Sequence, residues 1–265
     1  MLSISELYIY PVKSLGGVAV NEAKLTDRGF EHDRRWMLVD AAGKFISQRE
    51  VNEMSLLRVS ITDENLLIHH LHKQGHILSV PLHNENDAPV TVNIWDDVCE
   101  ATYISKEADA WFSEILSQEC RLVYMPDDTR RLVDLKYAHH NEITSFSDGY
   151  PLLIIGQASL DDLNEKLTEP LPINRFRPNI VFTGGYPFQE DDMKAFEING
   201  INFYGVKLCA RCVITTIDQQ TGEKNKEPLK TLSTYRMRDN KVYFGQNLLY
   251  NNTGTLHAGD KITLL

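Results

Sequence analysis

The sequence predicts a mainly β protein with inserted helices, an α+β class, and three observations carry that prediction. Short segments with alternating apolar positions, separated by turn residues, fill the first hundred residues. β-rich segments return after Asn179, and only two stretches between them have helical spacing. Many short strands with turn signals at this spacing suggest a barrel or a sandwich.

The elements follow in order. Ile4 to Tyr10, Gly17 to Leu25, Trp36 to Asp40 and Lys44 to Gln48 read as strands. The last two are joined by Ala41-Ala42-Gly43, a hairpin connection in which Gly43 can take positive φ. Leu56 to Thr62, Leu66 to His69, His76 to Val80 and Pro89 to Trp95 continue the pattern. A helix is expected over about Ser105 to Gln118, where Ala108, Trp111, Phe112, Ile115 and Leu116 fall on one face. The polar stretch Pro126 to Asp134 reads as a loop and a domain seam, giving expected domains of residues 1–125 and 126–265. Leu152 to Ile155 suits a buried strand, and Ser159 is the expected N-cap of a helix reaching about Leu167, with Asp161 and Asp162 favouring its positive start. Asn179 to Thr183, Ile201 to Leu208, Cys212 to Asp218, Lys241 to Phe244 and Lys261 to Leu264 complete the strands. No internal repeat, heptad run or low-complexity tract occurs.

Composition bounds the function. The 265 residues are 42% apolar and 24% charged, a soluble globular balance that supports a sizeable core without disulfides. A formal charge of −10 repels phosphates on average, so neither a nucleic acid nor an anionic membrane is an expected partner. Local basic pockets remain compatible with it. Four cysteines, Cys99, Cys120, Cys209 and Cys212, are too few and too unevenly spaced for a secreted disulfide framework. The start MLSISELYIYPVKS lacks the parts of a signal peptide, and no apolar run approaches the roughly 20 residues of a membrane helix. The expected compartment is the reducing cytoplasm.

The chemistry-bearing segments are few. Cys209-Ala210-Arg211-Cys212 can be half of a zinc site, a redox pair, or one metal-binding thiolate beside a bystander. Zinc needs four ligands, and Cys99 and Cys120 form no second close pair. A thioredoxin-type pair precedes a helix, whereas here the β-branched run VITTI follows. Two buried cysteines acting as small hydrophobes are an equal competitor. Arg211 tilts the balance toward a thiolate, the form that ligates metals. Pro11-Val12-Lys13-Ser14-Leu15-Gly16-Gly17 can receive an anion, although GxxxxGK[ST] is absent and a surface lysine in a tight turn is the better reading of it alone. Arg34, in Asp33-Arg34-Arg35-Trp36, offers a bidentate anion contact or an ordinary ion pair. Arg175-Phe176-Arg177-Pro178-Asn179 places arginines before a buried strand, which is costly unless they are paired or face a ligand. Ser145-Phe146-Ser147-Asp148-Gly149-Tyr150-Pro151 adds hydroxyls and a carboxylate at a turn. The histidines, including His69, His70, His139 and His140, lack metal spacing, and GxSxG, HExxH and GxGxxG are absent.

Taken together, PVKSLGG, DRRW, SFSDGYPLLI, ASLDDLNEKL, NRFRPNIVF, CARCVITTIDQQTG, EPLKTLSTYR and FGQNL occur in the order seen in the MOSC-domain family. The sequence resembles the branch that contains the mitochondrial amidoxime-reducing component and its bacterial relatives, from about residue 3 to the C-terminus. The resemblance implies an N-terminal β-barrel-like domain packed on a MOSC β-barrel domain, with a molybdenum cofactor (Mo-molybdopterin) between them; pyridoxal phosphate is not expected. It puts Cys212 on the molybdenum ligand and catalytic position, and Cys209 on a position that does not ligate. Lys13, Ser14, Arg34, Arg177 and Asn179 fall on residues that hold the pterin and its phosphate, and Asp148 lies in the matching cofactor loop. Gly149 and Tyr150 depart from the small hydroxyl residues of mammalian members, and Met193 stands where a tryptophan wall is usual.

The implied activity is that of a molybdenum-dependent oxidoreductase which removes oxygen from small N-hydroxylated substrates in a two-electron reduction. Several bacterial relatives carry a C-terminal ferredoxin domain, and no matching cysteine cluster precedes Leu264-Leu265. A separate ferredoxin- or flavin-type electron donor is therefore expected. The competing readings are a non-catalytic carrier of the same cofactor and sulfur transfer through Cys209 or Cys212.

Overall fold

A computed structural model describes residues 1–73, 75, 77–83 and 88–265. In chain order the first half comprises β1 (Leu2–Ile9), β2 (Val18–Val20), β3 (Glu22–Leu25), β4 (Trp36–Val39), β5 (Leu57–Ile61), β6 (Asn65–His70), β7 (Leu78–Pro81), β8 (Pro89–Ile94), β9 (Asp97–Tyr103), α1 (Lys106–Leu116) and β10 (Arg121–Tyr124). The second half comprises β11 (Leu152–Gly156), α2 (Gln157–Asn164), β12 (Ile180–Thr183), β13 (Ala195–Ile198), β14 (Ile201–Ala210), α3 (Leu229–Ser233), β15 (Met237–Arg238), β16 (Lys241–Tyr250), β17 (Gly254–His257) and β18 (Lys261–Leu264). The predicted class is correct: the fold is mainly β with few helices.

One sheet runs β11-β12-β1-β18-β13-β14-β16 and closes through a β11–β16 pairing, making a seven-strand barrel. Only the β11–β12 pair within it is parallel. Closure removes the exposed edges of an open sheet. Ile4, Leu152, Ile154, Phe182, Phe196, Phe203 and Leu248 are buried together in its core. Met193 belongs to that core rather than to a cavity wall.

The N-terminal half builds a four-stranded sheet, β4-β10-β9-β8, and a three-stranded sheet, β5-β6-β7. Between them Trp36, Leu38, Leu57, Leu66, Ile68, Phe112 and Leu122 form a second core. Helix α1 contributes Ala108, Phe112 and Leu116 to it, as its spacing predicts. Ser105 caps the helix by accepting from the Ala108 N–H at 3.1 Å, a contact worth about 1 kcal/mol. Met37, Val39, Phe45, Val92, Val123 and Phe146 form a third cluster, which draws the Ser145–Pro151 turn against the four-stranded sheet.

Several expectations need correction. Lys44 to Gln48 makes only isolated bridges, Val39 to Phe45 and Lys44 to Asn93, not a strand. Gly17 to Leu25 breaks at Asn21 into β2 and β3, which pair with different partners, β1 and β17. The strand expected from His76 begins at Leu78, and His76 lies outside the described residues. Ser159 does not cap α2; Gly156 occupies that position. Ser159 Oγ instead donates to Glu190 Oε2 at 2.7 Å and accepts from the Phe188 N–H at 2.7 Å. Cys212 to Asp218 is not a strand either: Cys212 is the N-cap of a single 3-10 turn over Val213–Thr216. There Thr215 Oγ1 donates to the Cys212 carbonyl at 3.0 Å, and such local side-chain bonding overrides the strand propensity of VITTI. The CARC segment is thus followed by one helical turn, though a single 3-10 turn is not the α-helix of thioredoxin.

Candidate cofactor cavity

The site is assembled where the turns of the N-terminal half meet the rim of the barrel. Pro11-Val12-Lys13-Ser14 leaves β1 and runs beside the start of β4, with the Lys13 N–H on the Trp36 carbonyl at 2.8 Å. Arg34 immediately precedes β4, and its backbone N–H reaches back to the Tyr10 carbonyl at 2.8 Å. Arg177 ends the 3-10 turn Ile173–Phe176, and Asn179 enters β12. The 145–151 turn is tied to Arg34 by the Phe146 N–H on its carbonyl at 2.9 Å. Arg131 fixes the same turn, donating to the Ser145 and Ser147 carbonyls at 2.9 and 2.6 Å and pairing with Asp97 at 2.8 Å.

Three of these residues sit in the left-handed backbone region: Ser14 at φ 69°, Arg34 at 50° and Arg177 at 56°. None is glycine, so each conformation costs on the order of 1 kcal/mol. Such strain persists where the surroundings over-determine the backbone, and it clusters at ligand clamps.

Tyr10 organises the arginines. Its buried ring has the guanidinium carbons of Arg34 and Arg177 each 4.3 Å from its centroid. Its hydroxyl donates to the Pro178 carbonyl at 3.0 Å, and burial keeps the phenol protonated well above its ordinary range. Arg34 Nη1 donates to Asp33 Oδ2 and to Asn179 Oδ1, the latter at 3.0 Å. Asn179 also donates to the Tyr8 carbonyl at 3.2 Å, so its amide ties β12 to β1 as well as to Arg34. Arg177 donates to the Leu15 carbonyl at 2.6 Å and has no carboxylate partner among the described residues. Burial, and then the adjacent Arg34 charge, push its guanidinium down to about 10. It remains a cation at neutral pH, and an incoming anion would relieve both penalties.

Lys13 is buried, donating to the Phe146 carbonyl at 2.8 Å and to Asp148 at 2.6 Å. Burial presses its ammonium below the ordinary lysine range while Asp148 opposes that pull. Desolvation pushes the Asp148 carboxyl upward, but Lys13, then Arg49 and the Trp95 indole N–H, hold it well below the usual carboxylate range. Arg175 solves its burial differently, pairing with Asp218 at 2.7 Å. Of the two arginines before β12, Arg175 has a carboxylate partner although its Nε stays buried without a hydrogen bond, and Arg177 has no carboxylate partner among the described residues.

Lys13, Ser14, Arg34, Asp148, Arg177, Asn179 and Cys212 all line one cavity of about 290 Å³. Cys212 is half-buried there at the end of β14, and its thiol belongs to none of the four apolar clusters. Cys209 also borders the cavity but packs against the apolar cluster of Ile155, Phe176 and Phe244, and burial pushes its thiol up. Arg211 donates to the Phe244 and Phe176 carbonyls at 2.7 and 2.8 Å, so it anchors the CARC turn rather than facing the cavity with all its donors. Ser147, Tyr150, Arg175, Thr215, Arg49, Lys207 and Asn247 add to the polar lining, and none of the last three was singled out from the sequence as a site residue. Asn247 lies within the FGQNL segment, a signal that could have found it; Arg49 and Lys207 carry none.

The donor set suits a phosphate-bearing pterin: several cations, four hydroxyl side chains and two amides surround one space that two cysteines border. Four donors on lining residues fit the same test: Arg49 Nε, Arg175 Nε, Arg211 Nη2 and the Tyr150 hydroxyl are buried without a hydrogen-bond partner among the described residues. No group of three or more His, Cys, Asp or Glu converges on a metal position among the described residues. No helix there is long and apolar enough to cross a membrane.

Comparison with known proteins agrees with this architecture. Residues 1–119 match the MOSC N-terminal beta barrel domain and residues 141–263 match the MOSC domain. The chain is 31% identical to "Mitochondrial amidoxime-reducing component 1" of Homo sapiens over 282 residues, covering 99% of this chain and 83% of that protein. It is 30% identical to the Mus musculus protein of the same name, covering 99% and 82%. It is also 30% identical to "Molybdenum cofactor sulfurase" of Oryza sativa subsp. japonica, covering 95% of this chain but 33% of that protein. With two matched domains and nearly whole-chain similarity, the chain belongs to the MOSC family, in the branch that joins a MOSC N-terminal beta barrel domain to a MOSC domain.

Proposed function

We propose that this chain is a molybdenum-cofactor-dependent reductase of small N-hydroxylated substrates. The observation that carries the reading is the convergence of Lys13, Ser14, Arg34, Asp148, Arg177, Asn179 and Cys212, from five separate turns, on one cavity. Relatives named as amidoxime-reducing components support the reaction class.

In this reading Arg177, Arg34 and Lys13 hold the cofactor phosphate, with Ser14 as a hydroxyl donor and Asn179 fixing Arg34. Asp148 keeps Lys13 charged despite its burial. Tyr10 holds both guanidiniums in place before the ligand arrives, which lowers the ordering cost of binding. Cys212 supplies the protein's thiolate to the metal, a soft donor suited to a redox centre. When bound, the cofactor supplies the two-electron redox chemistry that the side chains lack. In the net reaction an N–OH group takes up two electrons and two protons, the N–O bond breaks, and the oxygen leaves as water. A separate ferredoxin- or flavin-type donor returns the electrons.

The test is reduction of benzamidoxime by cofactor-loaded protein with a chemically reduced dye as donor. Amidine formation that disappears in Cys212→Ser is the expected result. Cofactor retention without amidine formation would instead identify a carrier, and persulfide formation on Cys209 or Cys212 during turnover would identify sulfur transfer.

A further inference from the structure

The cations around the cavity divide into two kinds. Lys13, Arg34 and Arg175 are matched by Asp148, Asp33 and Asp218. Arg177, Lys207, Arg49 and Arg211 have no carboxylate partner among the described residues. Arg211 is taken up by the Phe176 and Phe244 carbonyls, and Arg49 lies over the Trp95 ring with its charge acting on Asp148. Arg177 and Lys207 lie in different parts of the lining. Arg177 belongs to the Tyr10 cluster assigned above to the cofactor phosphate. Lys207 lies on β14 two residues before Cys209, and its charge is felt at the Cys209 thiol. It is exposed at the mouth, on the cysteine side.

Lys207 is held in place. Its Nζ sits over the rings of Tyr137 and Tyr150, 4.7 and 5.6 Å from their centroids, and those rings meet edge to face at 6.0 Å. Tyr137 is carried by a loop whose base is closed by the Leu132–Ile143 bridge and whose tip is tied by Glu142 to the His139 and His140 N–H groups at 2.8 Å. His139 stacks on Tyr204 of the same strand as Lys207, with ring centroids 5.3 Å apart. Asn247 Nδ2 donates to the Lys207 carbonyl at 3.0 Å and also lines the cavity. A lysine that floats in solvent offers little binding, because its long side chain must be ordered at the moment of contact. Here two rings and a pinned loop have already done that ordering.

We propose that Lys207 receives a carboxylate carried by the substrate, so that the compounds this chain prefers are anionic N-hydroxylated molecules. The identity of the reacting group rests on the reductase reading; the anion contact does not. The chain's formal charge of −10 repels such molecules at long range, so their recognition has to come from a local cation of this kind.

The test compares para-carboxylated benzamidoxime with benzamidoxime, first by equilibrium binding to the cofactor-loaded protein and then by turnover. The carboxylated compound should bind about tenfold more tightly at low salt. Lys207→Gln should erase that preference, Lys207→Arg should keep it, and Lys207→Glu should invert it. Equal binding of the two compounds, or a preference unmoved in Lys207→Gln, overturns the proposal. If benzamidoxime is reduced and the preference is absent, the anion site alone fails. If the preference follows Lys207 but neither compound is reduced, the anion site stands and the reductase reading fails.

Discussion

The Nζ of Lys13 lies 2.6 Å from Asp148 Oδ1, with the lysine side chain 6% exposed and the aspartate 63% exposed. A buried cation is thus neutralised by a carboxylate whose other face is open to water at the cavity mouth. The pair keeps Lys13 charged without closing the space that a phosphate needs.

Asp148→Asn should leave that ammonium with neutral acceptors only, the Phe146 carbonyl and the asparagine amide oxygen. Because the aspartate is solvent-screened, the stability loss at neutral pH should be on the order of 1 kcal/mol. A carboxyl held below its usual range stabilises the fold above its unfolded value near pH 4, and that contribution fades as pH falls through the lower folded value. Denaturant titrations across pH 2–6 should therefore show a shallower acid limb for the variant.

Arg177→Lys should cost cofactor affinity although charge is kept. A lysine cannot both lie flat on Tyr10 and donate to the Leu15 carbonyl. Loss of a charge-assisted contact is worth about 1.5–3 kcal/mol, roughly ten- to a hundredfold in affinity. The cofactor-free variant should lose only about 1 kcal/mol, the worth of the Leu15 hydrogen bond, because the charge and its burial are kept. Pterin release assays and thermal melts check the two halves of this prediction.

Gly17→Ala tests the Tyr10 platform from outside the cavity. An added Cβ would lie 2.4 Å from Tyr10 Cε1, and the buried ring has no free direction in which to move. Overpacking of this kind costs typically 1–3 kcal/mol. The variant should also lose cofactor, since both guanidiniums rest on that ring.

Glu190 gives the fold a separate pH response. Burial raises its carboxyl to about 7, Ser159 donates to one oxygen, and the other has no partner among the described residues. The folded state then holds a proton that the unfolded state releases near pH 4.5, so stability is greatest below that point and declines as pH rises through 7. The decline should be on the order of 3 kcal/mol, and Glu190→Gln should flatten melting temperature against pH between 5 and 8.

The sequence was most legible where chemistry is concentrated in short turns. PVKS, DRRW, NRFRPN and CARC each mark a strand end, and their residues meet because the strands behind them converge on one rim. Lys207 and Arg49 left no such mark, since an isolated cation on a strand or loop reads as an ordinary surface charge. The β13–β14 hairpin was missed although Asn199 and Gly200 carry the turn signal, with φ of 52° and 77°. β9 was missed because it follows β8 through Trp95 and Asp96 with no glycine or proline between them. VITTI misled for a local reason: the Thr215 and Thr216 hydroxyls donate to the Cys212 and Val213 carbonyls, closing a single turn whose N-cap, Cys212, lines the cavity.

The central claim is that the Cys212 sulfur bonds a molybdenum centre whose organic part is gripped by Lys13, Arg34 and Arg177. X-ray absorption at the molybdenum edge, on cofactor-loaded parent and Cys212→Ser proteins, tests it most directly. The account predicts molybdenum in the parent and one fewer sulfur neighbour in the variant. An identical sulfur shell in both proteins, or a parent that takes up no molybdenum, would contradict it.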